Sequence, residues 1–149
     1  MKHYLKRAMI LFIMMAFIIT TVFPSIVGAN NQDVINEKLG DPIVVYGATL
    51  SDSQKEEVRK LLEVTNPDHV KEISVSGEDA AKYINGDPNS RMFSSAKIVR
   101  QEKGNGLTIN IVTPENITQV TSEMYANALL TAGVEDATVY VASPVPVTG

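Results

Sequence analysis

The sequence predicts an α/β domain of two layers: a mixed sheet with helices packed on one face, in the order β-α-β-(α)-β-β-α-β. Three observations lead there. Short β-branched runs recur between Gly, Pro, Asn and Asp clusters. Segments of helical periodicity lie between them, each opened by a Ser or Thr suited to cap a helix. Hydrophobic residues make up 44% of the 149, enough for one core and too many for a disordered chain.

The first thirty residues stand apart from this pattern. Lys2, His3, Lys6 and Arg7 form a basic head, and Ala8 to Ile19 follows without a polar residue. Pro24 would end a helix, and Val27-Gly28-Ala29 offers the small residues a signal peptidase reads. Residues 1–29 are therefore expected to be a secretory signal peptide, cleaved after Ala29. The alternative is an uncleaved anchor over residues 8–23, although that stretch is shorter than the roughly 20 residues a spanning helix needs. Both readings place the remainder outside the cytoplasmic membrane. Lys2, Lys6 and Arg7 leave with the signal, so the 13 basic residues fall to ten against 17 acidic ones, and the net charge moves from −4 to −7.

Residues 30–41 read as a polar leader, and residues 42–149 as a single α/β domain. Ile43 to Tyr46 is a buried strand closed by Gly47. Ser51 and Gln54 have the spacing of a capping box, and Val58, Leu61 and Leu62 supply the apolar side of the helix that follows. Asn66-Pro67 ends that helix. Val70 to Val75 is the second strand, with Ile73 and Val75 on one face. Ser76-Gly77-Glu78-Asp79 can open a short helix through Tyr83 and Ile84, and Asn85 to Ser90 is turn chemistry throughout. Met92 to Arg100 and Leu107 to Val112 flank Lys103-Gly104-Asn105-Gly106, which suggests a hairpin. Thr121 caps a third helix whose expected buried stripe is Met124, Tyr125, Ala128, Leu129 and Ala132, with Gly133 as its stop. Thr138 to Ala142 is the last strand.

Composition excludes several chemistries. With no cysteine there is no disulfide, thiol nucleophile, zinc–cysteinate site, iron–sulfur cluster or lipid-modified cysteine. An acidic chain without a basic cluster has no electrostatic footprint for nucleic acid. His69, beside Asp68, is the one histidine beyond the signal and is read as a loop residue rather than a general base. A Ser-His-Asp arrangement would have to use it, and no G-x-S-x-G elbow is present. Ser94-Ser95 near Arg91 could bind an anion or supply a nucleophile, but strand-end hydrogen bonding explains them more simply. Asn85 to Ser90 lacks the alternating carboxylates of a calcium loop. Glu56, Glu57, Glu78 and Asp79 read as solvated acids in first helical turns. Gly104-Asn105-Gly106 feeds no helix and so is no phosphate loop. Asn116-Ile117-Thr118 is a formal glycosylation sequon, relevant only in a eukaryotic secretory pathway. Val145-Pro146-Val147-Thr148-Gly149 differs by one residue from a wall-sorting signal, but lacks the apolar segment and basic tail that would follow one. No catalytic residue, cofactor or metal ligand is assigned.

Tyr46-Gly47-Ala48-Thr49-Leu50-Ser51, with Gln54 and Glu57 in the next helix, resembles the opening of the domain-of-unknown-function family 1002. So do Ser94-Ser95-Ala96, Glu123-Met124-Tyr125-Ala126-Asn127-Ala128-Leu129 with Thr131 to Val134, and Val141 to Gly149. The resemblance covers about residues 42–149. It implies an uncharacterised secreted protein of Gram-positive bacteria and supplies no catalytic residues. It also implies that a further Ala- and Leu-rich part follows in the family, so this chain resembles a truncated member. The expected function is a non-catalytic binding or structural module of the cell envelope, with a wall component or envelope protein as partner. The alternative is an extracytoplasmic hydrolase using Ser94 or Ser95 with His69, or a carboxylate pair.

Overall fold

The computed structural model describes residues 39–147. The expected signal peptide (1–29), the leader up to residue 38 and the last two residues lie outside the described residues. In chain order the elements are β1 (Ile43–Gly47), α1 (Asp52–Leu61), a 3-10 turn (Pro67–His69), β2 (Lys71–Val75), α2 (Gly77–Ile84), β3 (Ser95–Arg100), β4 (Leu107–Ile111), α3 (Ser122–Thr131) and β5 (Ala137–Ala142). The predicted class, mixed sheet and element order are all present.

Local chemistry accounts for the helix ends. At α1 the Ser51 hydroxyl accepts from the Gln54 N–H while the Gln54 side chain accepts from the Ser51 N–H. Ser76 and Asp79 form the same reciprocal pair at α2, and the Thr121 hydroxyl caps α3. Each cap satisfies N–H groups that the first helical turn cannot. Asn85 ends α2 in the left-handed region at φ 54°, a conformation its short polar side chain tolerates.

The five strands lie in the order β2-β1-β3-β5-β4. β1 runs parallel to β2 and β4 parallel to β5, while β3 is antiparallel to both of its neighbours. Side chains alternate between the two faces, and the registers sort them cleanly. On the first face Ile43 and Val45 join Ala96, Ile98, Val139 and Val141, and pack with Tyr125, Leu129 and Ala132 from α3. On the second, Val44 and Tyr46 pack with Val58 and Leu62 from the α1 region. β1 is consequently buried along its whole length. Full burial of one such aliphatic side chain contributes about 1.5–3 kcal/mol.

The layering therefore differs from the expectation that the helices pack on one face. The reason is topological. β1→β2 and β4→β5 step the same way across the sheet between parallel strands. Two crossovers of equal hand would put α1 and α3 on one side. Since they lie on opposite sides, the crossovers have opposite hands, and only one can have the common right-handed sense. α1 thus covers one face of the sheet and α3 the other.

The hairpin expected around Gly104-Asn105-Gly106 does not form either, because β5 inserts between β3 and β4. The Asp136 carboxylate, immediately before β5, accepts from the N–H groups of Gly104 and Gly106 at 2.9 and 2.8 Å. The adjoining main chain adds bonds from Gln101 N–H to the Asp136 carbonyl and from the next residue, Ala137, through its N–H to the Gly106 carbonyl. The glycine turn wraps an acid from elsewhere in the chain rather than closing two neighbouring strands. Asp136→Ala should cost about 2 kcal/mol, because it removes a charged acceptor shared by two backbone donors. Asp136→Asn, which keeps one carbonyl oxygen, should lose less. Urea midpoints of the two variants against the parent check the order, and equal losses would count against the carboxylate as the latch.

Candidate functional site

The densest group of charged side chains sits where β1 and β2 meet α1. Tyr46 lies on the second face of β1 and is 1% exposed. Glu72 lies on β2 two residues before Ser74, the register partner of Tyr46, and the Tyr46 hydroxyl donates to Glu72 Oε1 at 2.8 Å. Arg59, on the side of α1 turned to the sheet, donates to both carboxylate oxygens, from Nε at 3.1 Å and from Nη2 at 3.0 Å. Arg59 also pairs with Glu56 one turn earlier. Lys55 completes the group, 3.9 Å from Glu72 and 4.5 Å above the Tyr46 ring.

Electrostatics follows from that geometry. The bidentate Arg59 contact holds the Glu72 carboxyl below the usual carboxylate range, reinforced by the Tyr46 hydroxyl, while partial burial works against both. Burial, together with donation to Glu72, raises the Tyr46 phenol far above its ordinary value. The Tyr46 hydroxyl, both Glu72 carboxylate oxygens and the Arg59 guanidinium are paired within the group. The arrangement is an ion-pair staple fastening α1 to the sheet edge.

A depressed carboxylate gives a defined pH dependence. Glu72 contributes stability at pH above its unfolded value of about 4.3, and that contribution disappears as pH falls through the lower folded value. At neutral pH Glu72→Gln should cost about 1–2 kcal/mol, since the carboxylate is only partly buried. Between pH 5 and pH 3, roughly, the parent should lose stability more steeply than the variant. Parallel acid slopes in chemical unfolding would contradict this assignment.

Lys97 is the charged residue that sequence patterning misses. It lies at an interior strand position, opposite Val44 and Tyr140, and is 2% exposed. Its ammonium is 3.4 Å from the Glu63 carbonyl just beyond α1 and 5.0 Å from the Tyr140 ring centroid. A cation there meets the negative end of the α1 dipole and an aromatic face. Alternation over Ser95–Arg100 could have flagged an inward position, but nothing local to Lys97 names the carbonyl it reaches.

The residues singled out from the sequence are dispersed. His69 ends the 3-10 turn and is exposed, and its backbone N–H bonds the Asn66 carbonyl. Ser95 is buried, its hydroxyl accepting from the Gly47 N–H at 3.2 Å. The Ser94 hydroxyl and the His69 imidazole take part in no hydrogen bond among the described residues. In the Asn85–Ser90 loop, Asp87 Oδ1 accepts from the backbone and side chain of Asn89, and the Asp87 carbonyl accepts from Ser90. Those oxygens are engaged in turn bonds. Glu57 and Glu78 are exposed, Glu56 is tied to Arg59, and Asp79 is consumed by the α2 capping box. Arg91 is exposed and lies near the Phe93 ring.

The sequon residue Asn116 has a structural use. Its side-chain amide donates to the Ser143 carbonyl at 2.8 Å, and its backbone carbonyl accepts from Val147. Ser143, fully buried, binds Thr113 through its N–H and Val145 through its hydroxyl. The Pro-rich end thereby continues past β5 and forms a parallel bridge with Ile117. One residue of the expected α3 stripe is corrected: Met124 is 53% exposed. The inward direction of α3 is centred on Tyr125, Leu129 and Ala132, and Met124 falls about a quarter turn to one side of it.

Comparison with known proteins adds the following. The model of a family described as "Protein of unknown function (DUF1002)" matches residues 46–149. The uncharacterized protein YpuA of Bacillus subtilis (strain 168) is 41% identical over 116 residues, covering 74% of this chain and 38% of that protein. The chain thus spans well under half the length of that curated relative. No solved structure matches it.

Proposed function

The chain belongs to the DUF1002 family of proteins of unknown function, and on that premise we propose an exported, non-catalytic binding or structural module of the bacterial cell envelope. One observation carries this reading: the side chains suited to chemistry are used to hold the fold together. Ser95 anchors the end of β1, Glu72 is clasped by Arg59 and Tyr46, Asp136 latches β5, and Asp79 caps α2. The solvent-facing surface meanwhile carries Ile84, Met124 and Leu130, each about half exposed, side chains better suited to contact than to catalysis. The basic, apolar and small-residue succession at residues 1–29 supports export.

The experiment is a binding assay of the full chain with separated envelope fractions of a Gram-positive bacterium, purified wall on one side and membrane proteins on the other. The expected result is saturable retention by one fraction, reduced when Met124 and Leu130 are both replaced by Ser. Retention by neither fraction would end the binding-module reading. Serine-directed inhibitor labelling of the folded chain at Ser94 or Ser95 would revive the hydrolase alternative.

A further inference from the structure

The sheet has two edges, β2 and β4, and they differ in chemistry. β2 carries Lys71 and Glu72, the kind of charge that guards an edge against unwanted pairing. β4 reads Leu-Thr-Ile-Asn-Ile, five residues without charge or proline, and no described residue pairs with its outer side. Two bonds fix which groups face outward. Val112 N–H donates to the Val141 carbonyl, and Ala137 N–H donates to the Gly106 carbonyl. In a parallel ladder, alternate residues present both backbone groups to one neighbour. Gly106, Thr108, Asn110 and Val112 therefore face β5, and Leu107, Ile109 and Ile111 direct both N–H and C=O away from the sheet.

We propose that β4 pairs antiparallel with β4 of a second copy of this chain, about a two-fold axis at Ile109. The strand is self-complementary about that residue. Leu107 falls opposite Ile111, Ile109 opposite itself and Thr108 opposite Asn110, so apolar meets apolar on the α3 face and neutral polar meets neutral polar on the other. No like charges are brought together. The outward N–H and C=O groups of Leu107, Ile109 and Ile111 then exchange bonds across the axis, giving an isologous contact that closes on itself. The axis also sets the α3 helix of each copy beside its equivalent. Met124 and Leu130 lie on opposite flanks of the buried α3 stripe, so one of these half-exposed side chains borders the axis. A stable interface buries on the order of 1,000 Å2 or more, so the contact has to include the α3 flank as well as the five-residue edge.

The register can be tested directly, because the chain has no cysteine of its own. Thr108 and the Asn110 of the partner copy form a non-hydrogen-bonded pair, with Cα atoms about 4.5 Å apart, inside the range a disulfide spans. Full-length chains carrying Thr108→Cys and Asn110→Cys are oxidised mildly, separately and as a mixture. The expected result is a covalent dimer from the mixture and little from either variant alone. No covalent dimer, or equal yields in all three tubes, would overturn the proposal. Sedimentation gives an independent reading, since both positions are exposed and neither faces the core. Thr108→Lys with Asn110→Lys sets lysine opposite lysine twice and should weaken association on the order of tenfold. Thr108→Lys with Asn110→Glu sets opposite charges across the axis and should restore it. Equal association of the two double variants would assign self-association to another surface.

Discussion

Gly47→Ala is expected to destabilise the domain by about 4 kcal/mol or more, enough to remove most of the stability of a domain this size. The cost is purely one of contact. A Cβ on residue 47 would lie 2.1 Å from the Met92 carbonyl oxygen, 2.4 Å from its carbon and 2.8 Å from the Phe93 nitrogen. All three are backbone atoms, so no side-chain rotation relieves the clash. The opposing backbone is also fastened on both sides. The Met92 carbonyl accepts from Thr49 N–H, the Met92 N–H donates to the Thr49 hydroxyl, and the Gly47 N–H donates to Ser95. Moving Met92 far enough for a methyl group breaks these bonds and pulls its side chain from the first-face core. Chemical unfolding followed by near-UV circular dichroism reads the effect. Gly104→Ala is the control: a Cβ there meets nothing within 4 Å, but φ is +94°, so it should cost only about 1 kcal/mol. If Gly47→Ala lost no more than Gly104→Ala, the close approach of β1 to Met92 would be wrong.

That contrast shows how far the sequence could be read. The elements are legible because their signals are local. Ser51 with Gln54, Thr121, and the alternation of Leu107, Ile109 and Ile111 with Thr108 and Asn110 all act within a few residues. Gly47 is legible as the close of a strand. Its need to be glycine is not, because Met92 is far away in sequence. The same limit explains the hairpin. Gly104-Asn105-Gly106 signals a tight turn, and a tight turn is present, but the acid it binds, Asp136, arrives much later and brings β5 with it. Lys97 and the Glu72–Arg59 pair are likewise settled by partners on other elements. The placement of the helices on two faces rests on crossover handedness, which no residue encodes by itself. Reading His69 and the Ser94-Ser95 pair as ordinary structural residues is compatible with where they lie, and the surface most open to interpretation, the neutral β4 edge, emerges only once the strand order is known.

Gly77→Ala decides between two rules of opposite sign. Gly77 is the first residue of α2, after the Ser76 cap. Intrinsic propensity favours alanine over glycine within a helix by up to about 1 kcal/mol, so a reading from local preference predicts stabilisation. Packing predicts the reverse. A Cβ at residue 77 would lie 2.6 Å from each of the Pro88 and Ser90 carbonyl oxygens and 3.0 Å from the Ser90 nitrogen. The loop it meets is stiffened by the bonds around Asp87, so the two carbonyls move together or not at all. It is also exposed from Asp87 to Arg91, however, and can swing into solvent, which the half-buried Met92–Phe93 segment, tied to Thr49 through two Met92 bonds, cannot do as easily. A net loss of about 2–3 kcal/mol follows, smaller than at Gly47 and opposite in sign to propensity. The displaced loop should show faster amide exchange at Ser90, whose N–H bonds the Asp87 carbonyl, while Asp79, held by the Ser76 hydroxyl, stays protected. Stabilisation by Gly77→Ala would mean that the loop does not rest against α2 and that helix propensity governs this residue.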